Sequence, residues 1–194
     1  RPTSPNIDEL ARTGIRFTNV ESQSSWTKAS MASLWTAKFP QSAGILRYAD
    51  AIPDEAVLPA EIMKEAGFVT AGIYRNSWVS ANFGVSQGFD RYVKVKANLD
   101  MERVKAPNPS SGALRGSDLD ISQSVIEFLQ ANYRERFFLY AHYMDPHQYT
   151  YNSDSDLFGS DFVDLYDNAI HWTDSNLRNV FRALESLGLH DKTI

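Results

Sequence analysis

The sequence predicts an α/β domain with a mostly parallel sheet and helices on both faces. Short apolar runs of strand length alternate along the chain with longer segments whose apolar residues recur at helical spacing. The chain has 194 residues, of which 43% are hydrophobic and 22% charged, a length and composition that support a globular core. No internal repeat or low-complexity tract interrupts the alternation.

The first third of the chain predicts a helix, a strand and a second helix. Asn6 and Glu9 have the spacing of a capping box, and Gly14 closes the short helix that follows. Residues 15–20 alternate apolar with polar side chains, as a strand does. Residues 27–37 place large apolar side chains on one side and predict the second helix.

The middle of the chain predicts a helix, two strands and a loop. Residues 58–66 form an amphipathic helical pattern that stops at Gly67. Apolar strands are predicted over residues 68–74 and 88–93. Residues 97–116 carry prolines and glycines among polar neighbours and predict a surface loop.

The last third predicts a helix, a strand and a final helix. The first helix begins near Ser117, a strongly apolar strand covers residues 137–144, and apolar side chains recur at helical spacing over residues 177–187. Residues 189–194 have the pattern of a segment that leads into another strand. We therefore expect the chain to be the interior part of a larger domain.

Charge and cysteine content exclude several classes of function. A net charge of -5 and an isoelectric point near 5.3 do not indicate the basic surface that nucleic-acid binding requires. No run of about 18 apolar residues occurs, so we expect no membrane-spanning segment. The chain has no cysteine, which excludes disulfides, thiolate metal sites and a cysteine nucleophile.

Residues 24–40 place several hydroxyl groups at and inside the start of a predicted helix. A helix N-terminus favours anions, and a hydroxyl placed there can attack phosphorus or sulfur when a metal or base lowers its pKa. Hydroxyl residues before a helix are also ordinary caps. The residues alone leave both interpretations open.

A second group of polar side chains follows the apolar strand, where Asp145 and His147 stand two residues apart and His142 lies nearby. Ligands at carboxyl ends of strands are typical of open α/β sheets. The spacing of these three residues is nevertheless poor for a metal, and hydrogen-bonded polar groups at a strand end are the alternative.

Six stretches, in order, resemble the sulfatase family of the alkaline phosphatase superfamily. Residues 3–19 are similar to its segment TPNIDRLAxxGxxFTN, and residues 137–147 are similar to fFLyxhxxDPHxPY. The other four stretches are residues 33–40, 58–71, 88–92 and 166–193. The resemblance implies an alkaline phosphatase/sulfatase-like fold, with residues 1–194 as a partial catalytic domain that lacks the metal-ligand segments at both ends.

The resemblance places Thr27 at the nucleophile position. Sulfatases carry a formylglycine there, made from the first residue of a Cys/Ser-x-Pro/Ala-x-Arg stretch. Threonine is not a substrate for that maturation, and Met31 stands in place of the arginine, so no formylglycine is expected. Threonine here resembles the phosphoethanolamine and phosphoglycerol transferases, in which a metal-bound threonine alkoxide attacks phosphorus.

The resemblance also implies a divalent metal ion, either Ca, Mg, Mn or Zn. Thr27 would be one ligand and the others would lie outside the chain, so we expect residues 1–194 alone neither to bind the metal nor to be active. His147 matches the family histidine that contacts the ester oxygens, and a histidine side chain is suited to protonation of a leaving group near neutral pH. Asp145 is expected to shape the loop or to hold a neighbour.

Lys28, Arg75 and Asn76 are the candidate substrate-binding residues. Arg75 and Asn76 stand where many sulfatases carry a Lys-x-His pair that contacts sulfate, so Arg75 would supply charge to an oxyanion and Asn76 a neutral donor. A surface arginine is the alternative. Lys28 would either aid the alkoxide or face water. The four tryptophans and Asp174 are expected to serve packing and structure.

Three functions stay open at this point. The chain would belong to a metal-dependent hydrolase of sulfate or phosphate esters, to a phosphotransferase using the same threonine, or to a non-catalytic binding or structural module that keeps the fold. The expected partner is a small-molecule, glycan-linked or lipid-linked anionic ester. Because relatives are often exported or tethered, the resemblance implies a periplasmic, extracytoplasmic or membrane-tethered parent protein.

Overall fold

The computed structural model describes residues 1–97 and 116–194, together with the backbone of residues 104–105. It confirms the α/β class, because a sheet with a parallel strand pair is combined with six helices among the described residues. The chain divides into two units with separate cores. Unit 1 is Arg1–Arg16, Val95–Tyr133 and His142–Ile194, and unit 2 is Phe17–Lys94 and Arg134–Ala141.

Unit 2 is organised around a three-stranded sheet. The central strand is β1 (Val69–Tyr74), flanked by β2 (Arg91–Lys94) and β4 (Phe137–His142). β1 and β2 run parallel, with Ala71 opposite Arg91. β1 is buried along almost its whole length, which explains its nearly continuous apolar sequence.

Two helices complete unit 2, α2 (Thr27–Thr36) and α3 (Pro59–Glu65). The indole of Trp35 on α2 meets the rings of Phe138 and Tyr140 edge-on, with ring centres 6.4 and 4.9 Å apart. The buried core around it comprises Ala29, Ala32, Ala43, Ile45, Ile52, Leu58 and Val85. This packing fixes α2 in unit 2 through its apolar face.

Unit 1 is mainly helical, and its longest helix contacts the others. Its helices are α1 (Pro5–Thr13), α4 (Asp118–Asn132), α5 (Asp145–Gln148) and α6 (Phe162–Ser186). The short strands β3 (Val104–Lys105) and β5 (Thr150–Tyr151) pair antiparallel. Because α1, α4 and α5 all pack on α6, that helix is the axis of unit 1.

The predicted capping box of the first helix is wrong. Asn6 does not cap the helix but lies in its first turn, because α1 begins at Pro5 after Ser4. Asp174, fully buried on α6, instead accepts the backbone N–H groups of Asn6 (3.2 Å) and Ile7 (2.9 Å). A distant carboxylate thus satisfies the free amides of the helix start, which agrees with the structural role predicted for Asp174.

The strand predicted over residues 15–20 is also wrong. Ile15, Phe17 and Val20 are 86, 78 and 76% exposed, and the segment has no regular structure. An alternating pattern becomes a strand only when a neighbouring strand accepts its hydrogen bonds. No strand in the described part of the chain does so here.

Other predicted elements occur with shifted limits. The final helix is longer than the apolar spacing indicated, because α6 already begins at Phe162, well before Leu177. The loop predicted at residues 97–116 lies largely outside the described residues. No helix that the structure describes combines the length and hydrophobicity needed to cross a bilayer.

Candidate active site

Thr27 is the first residue of α2 and is half-buried. The capping position belongs to Trp26, whose backbone is extended and whose amide is accepted by the hydroxyl of Ser24 at 3.1 Å. Thr27 is therefore not the cap of its helix. Its position beside the first-turn amides, which a helix leaves unsatisfied, suits a group that meets an anion.

Lys28, the next residue, is only 3% exposed. Its ammonium group donates to the backbone carbonyls of Arg47 (2.8 Å), Tyr48 (2.8 Å) and Asp50 (2.7 Å). The alternative in which Lys28 faces water is therefore wrong. Three carbonyl bonds match the three N–H groups of the ammonium, so Lys28 braces the start of α2; its role toward substrate stays a prediction.

Aromatic rings and a carboxylate complete the surroundings of this ammonium. Its nitrogen lies 4.9 Å from the ring centre of Trp26 and 4.4 Å from that of Phe83. Burial lowers the pKa of Lys28, and the negative charge of Asp50 opposes that shift. The site thus keeps a cation away from water and surrounds it with ring faces and carbonyl oxygens.

The turn that Lys28 contacts, residues 46–50, is also stabilised by one of its own side chains. The carboxylate of Asp50 accepts the amides of Leu46 (2.7 Å) and Arg47 (2.6 Å). These two backbone hydrogen bonds lower the pKa of Asp50. Both the amides and the carbonyls of the turn therefore have charged partners.

Arg75 and Asn76 follow the carboxyl end of β1 and are 2 and 4% exposed. The alternative of a surface arginine is therefore wrong, because the side chain of Arg75 is buried. Asn76 caps a 3-10 turn at Ser77–Val79, where its side-chain oxygen accepts the amide of Trp78 at 2.9 Å.

The two parts of the predicted site in unit 2 lie together. The rings of Trp26 and Trp78 meet edge-on with their centres 5.5 Å apart, and Tyr48 lies 5.3 Å from each. Trp26 directly precedes Thr27, and Trp78 follows Asn76 by two residues. Aromatic packing therefore places the start of α2 beside the end of β1. Trp35 is buried, as predicted for a packing residue.

His147 lies in unit 1, on the short helix α5, and its side chain is exposed. Its backbone amide donates to the carbonyl of Met144 at 3.1 Å. Tyr149 follows the last helical residue, and its positive φ of 53° turns the chain sharply. His147 thus projects from a tight four-residue helix.

A buried pair of carboxylates holds this helix. Asp118 and Asp145 are both fully buried, and each accepts the other's backbone N–H, at 3.0 Å for Asp118 and 2.7 Å for Asp145. Asp118 also accepts the amide of Met144 at 2.7 Å. The expectation that Asp145 shapes the loop agrees with this geometry, whereas sequence reasoning missed Asp118.

Two side chains of α6 bind the same carboxylates. The indole N–H of Trp172 donates to Asp145 at 2.8 Å, and the hydroxyl of Thr173 donates to Asp118 at 2.6 Å. Trp172 is therefore more than the packing residue that the sequence predicted. A buried tryptophan beside an acidic strand end is the signal that would have pointed to this role.

The described residues do not supply a metal site by themselves. No group of three or more histidine or acidic side chains among them is arranged to hold a metal ion. The carboxylate of Asp145 is directed at a backbone amide and an indole N–H, as the hydrogen-bonding alternative predicted. The residues present therefore do not fit a complete divalent metal centre.

The geometry defines an α/β protein with a threonine hydroxyl at a helix start beside the carboxyl end of a parallel strand. The sequence profile of the Sulfatase family matches residues 1–194, so the chain belongs to the sulfatase family. A solved member of the alkaline phosphatase superfamily from Vibrio parahaemolyticus shares the fold, with a TM-score of 0.66 and 20% identity over 95% of this chain and 45% of its own. Family and fold class are thus confirmed.

Two further relatives extend the comparison. An ulvan-active sulfatase from Formosa agariphila is 35% identical over 109 residues, 52% of this chain and 21% of its own length. The C-terminal periplasmic domain of EcEptC from Escherichia coli, a complex with Zn, has a TM-score of 0.66 and 18% identity over 96% of this chain and 54% of that one. The chain thus spans about half of the solved structures and about a fifth of the curated relative.

Proposed function

We propose that the protein containing this chain is a sulfatase-family hydrolase of sulfate or phosphate esters, with Thr27 as its nucleophile. The observation that carries the proposal is the place of Thr27, which is the first residue of α2 and does not cap it. The resemblance of the surrounding motifs to the family supports its assignment as nucleophile. The bracing of Lys28 supports it, because a fixed helix start holds the hydroxyl in a defined orientation.

In the proposed reaction, the Thr27 hydroxyl loses its proton to solvent water, its oxygen attacks the phosphorus or sulfur atom, and the bond to the leaving oxygen breaks. His147 gives its proton to that oxygen. Water then hydrolyses the threonine ester and restores the hydroxyl. Arg75 and Asn76, at the end of β1, contribute positive charge and a neutral donor toward the ester oxygens.

A divalent metal ion, when bound, would supply further positive charge. Its ligands other than Thr27 are proposed to lie outside residues 1–194, so that this chain is a partial catalytic domain. Metal analysis of the intact protein tests this directly. Stoichiometric Ca, Mg, Mn or Zn that a chelator removes together with activity is the expected result, and full activity in metal-free protein would contradict it.

A phosphotransferase is the second candidate. The threonine favours it, because the chain has no cysteine at the nucleophile position and Met31 replaces the arginine of the formylglycine stretch. The two reactions differ only in whether water or an acceptor alcohol takes the group from Thr27. Product analysis with and without an added alcohol separates them.

The proposed substrate is an anionic ester carried by a glycan or lipid, acted on outside the cytoplasm. The ulvan-active relative supports a glycan, and the periplasmic EcEptC domain supports the location. Cell fractionation tests the location, and turnover of sulfated against phosphorylated oligosaccharides tests the class. A cytoplasmic protein without activity on either would contradict this part.

The central experiment compares Thr27→Ala with Thr36→Ala in the intact protein, using aryl sulfate, aryl phosphate and aryl phosphodiester. Thr36 ends the same helix and its hydroxyl donates to the carbonyl of Ala32 at 2.7 Å, which makes it a matched control. Thr27→Ala should lower kcat about 10³-fold or more, while Thr36→Ala should leave it nearly unchanged. Unchanged turnover in Thr27→Ala would remove Thr27 from the mechanism, and no turnover in the parent would favour a non-catalytic module.

A further inference from the structure

We infer that Asp118 is a positioning residue that sets the place of His147 through the backbone of residues 144–145. The inference rests on the role proposed above for His147. Asp118 is 27 residues away from Asp145 in sequence, yet its carboxylate is fully buried against the start of α5.

Asp118 is not needed to cap its own helix. The hydroxyl of Ser117 accepts the amide of Leu119 at 3.3 Å, and the carboxylate of Asp120 accepts the amide of Ser117 at 2.6 Å. These two side chains form the capping box of α4. The Asp118 carboxylate is therefore available to a different segment of the chain.

Both oxygens of Asp118 are used by that segment and by α6. One accepts the amide of Met144 at 2.7 Å; the other accepts the amide of Asp145 at 3.0 Å and the hydroxyl of Thr173 at 2.6 Å. Charged acceptors make stronger hydrogen bonds than neutral ones, and burial strengthens them further. Asp118 therefore fixes two successive peptide groups against a long helix.

These peptide groups determine where α5 begins. The carbonyl of Met144 accepts the amide of His147 at 3.1 Å, and Asp145 is the first residue of the helix. Because α5 has only four residues, it has no further turn that could absorb a shift at its start. Movement of residues 144–145 is thus transmitted to the imidazole of His147.

A double-mutant cycle in the intact enzyme tests this. Asp118→Asn keeps one acceptor oxygen but turns an amide donor toward groups that also donate. It should lower kcat about tenfold to hundredfold with a smaller change in KM. Combined with His147→Ala, it should have little further effect, because the group that it positions is gone. A full effect of Asp118→Asn in the His147→Ala background would overturn the inference.

Asp120→Asn is the matched control, since it alters the same helix start through the capping box. Its effect, whatever the size, should be equal in both backgrounds. Should Asp118→Asn fail to fold, Thr173→Val removes a single donor to the same carboxylate and should show the same non-additivity at reduced size. Additive behaviour of Thr173→Val would count against Asp118 just as clearly.

A readout without activity separates this inference from the proposed function. The imidazole signals of His147 in two-dimensional NMR spectra should shift in Asp118→Asn and Thr173→Val, while those of His190, after α6, stay in place. Unshifted His147 signals would overturn the inference. If the signals shift but His147→Ala retains full activity, Asp118 still positions His147 and the proposed function is what fails.

Discussion

The two segments that carry the candidate residues are held by opposite charges. In unit 2, the buried ammonium of Lys28 binds three backbone carbonyls of a turn beside Thr27. In unit 1, the buried carboxylate of Asp118 binds backbone amides at the start of the helix that bears His147, and that of Asp145 binds the amide of Asp118 at the start of α4. In both, a charge that would ordinarily face water is used to fix main-chain groups.

The difference lies in how far each charge reaches along the chain. Lys28 braces a turn about 20 residues downstream and stands next to the residue that it serves. Asp118 and Asp145 form a reciprocal pair that is further tied to α6 by Trp172 and Thr173. In unit 2, α2 therefore contacts the turn through one ammonium group, whereas in unit 1 several side chains share the support of α5. Single substitutions should affect the two segments unequally.

Lys28→Met should cause the largest loss of stability. It keeps the apolar stem but removes the donor of three part-buried hydrogen bonds to backbone carbonyls, and we expect the free energy of unfolding to fall by about 3 kcal/mol. Urea denaturation measures this, with Lys38→Met as an exposed control that should change it by less than about 0.5 kcal/mol. Equal stability of the two variants would contradict the comparison of the two segments, because it would show that Lys28 does not stabilise the turn.

Asp145→Asn should cost less, about 2 kcal/mol, because Asp118 still binds the same segment from the other side. Hydrogen exchange sharpens the result, since the amide of Asp118 loses its acceptor and should exchange faster. Asp154→Asn, at an exposed position, is the control. A cost larger than that of Lys28→Met would show that the carboxylate pair is not a distributed support.

The smallest expected effect concerns pH. The amides of Leu46 and Arg47 lower the pKa of Asp50 in the folded protein. The carboxylate therefore adds stability above the ordinary aspartate pKa of about 3.9, and that stability is lost as pH falls through the lower folded value. Asp50→Asn should flatten the fall in melting temperature below pH 4, whereas Asp54→Asn should not. Parallel curves of melting temperature against pH for the unsubstituted protein, Asp50→Asn and Asp54→Asn would contradict the prediction.

The sequence was sufficient for the parts of the fold that depend on local pattern. The apolar run of β1, the start of α2 at Thr27 and the buried face of α4 all follow from the spacing of side chains. Residues 15–20 show the limit of such a pattern, because alternation cannot supply a partner strand.

The sequence supplies candidate site residues, whose roles stay predictions, but it does not reveal the groups that hold them in place. Thr27, Arg75 and His147 are found by position relative to helix starts, strand ends and family motifs. The partners of Lys28 are backbone carbonyls, and because every residue has one, the sequence does not indicate which of them Lys28 binds. Asp118 stands between two capping residues, so its sequence context indicates only an ordinary helix start.

The exposed ribbon at residues 15–20 has a consequence for handling the chain. Three large apolar side chains, Ile15, Phe17 and Val20, stand exposed along it, and no strand that the structure describes pairs with it. Such a ribbon is a template on which another copy can add a strand. Preparations of residues 1–194 should therefore self-associate as concentration rises, and a lysine in place of Phe17 should keep them dispersed.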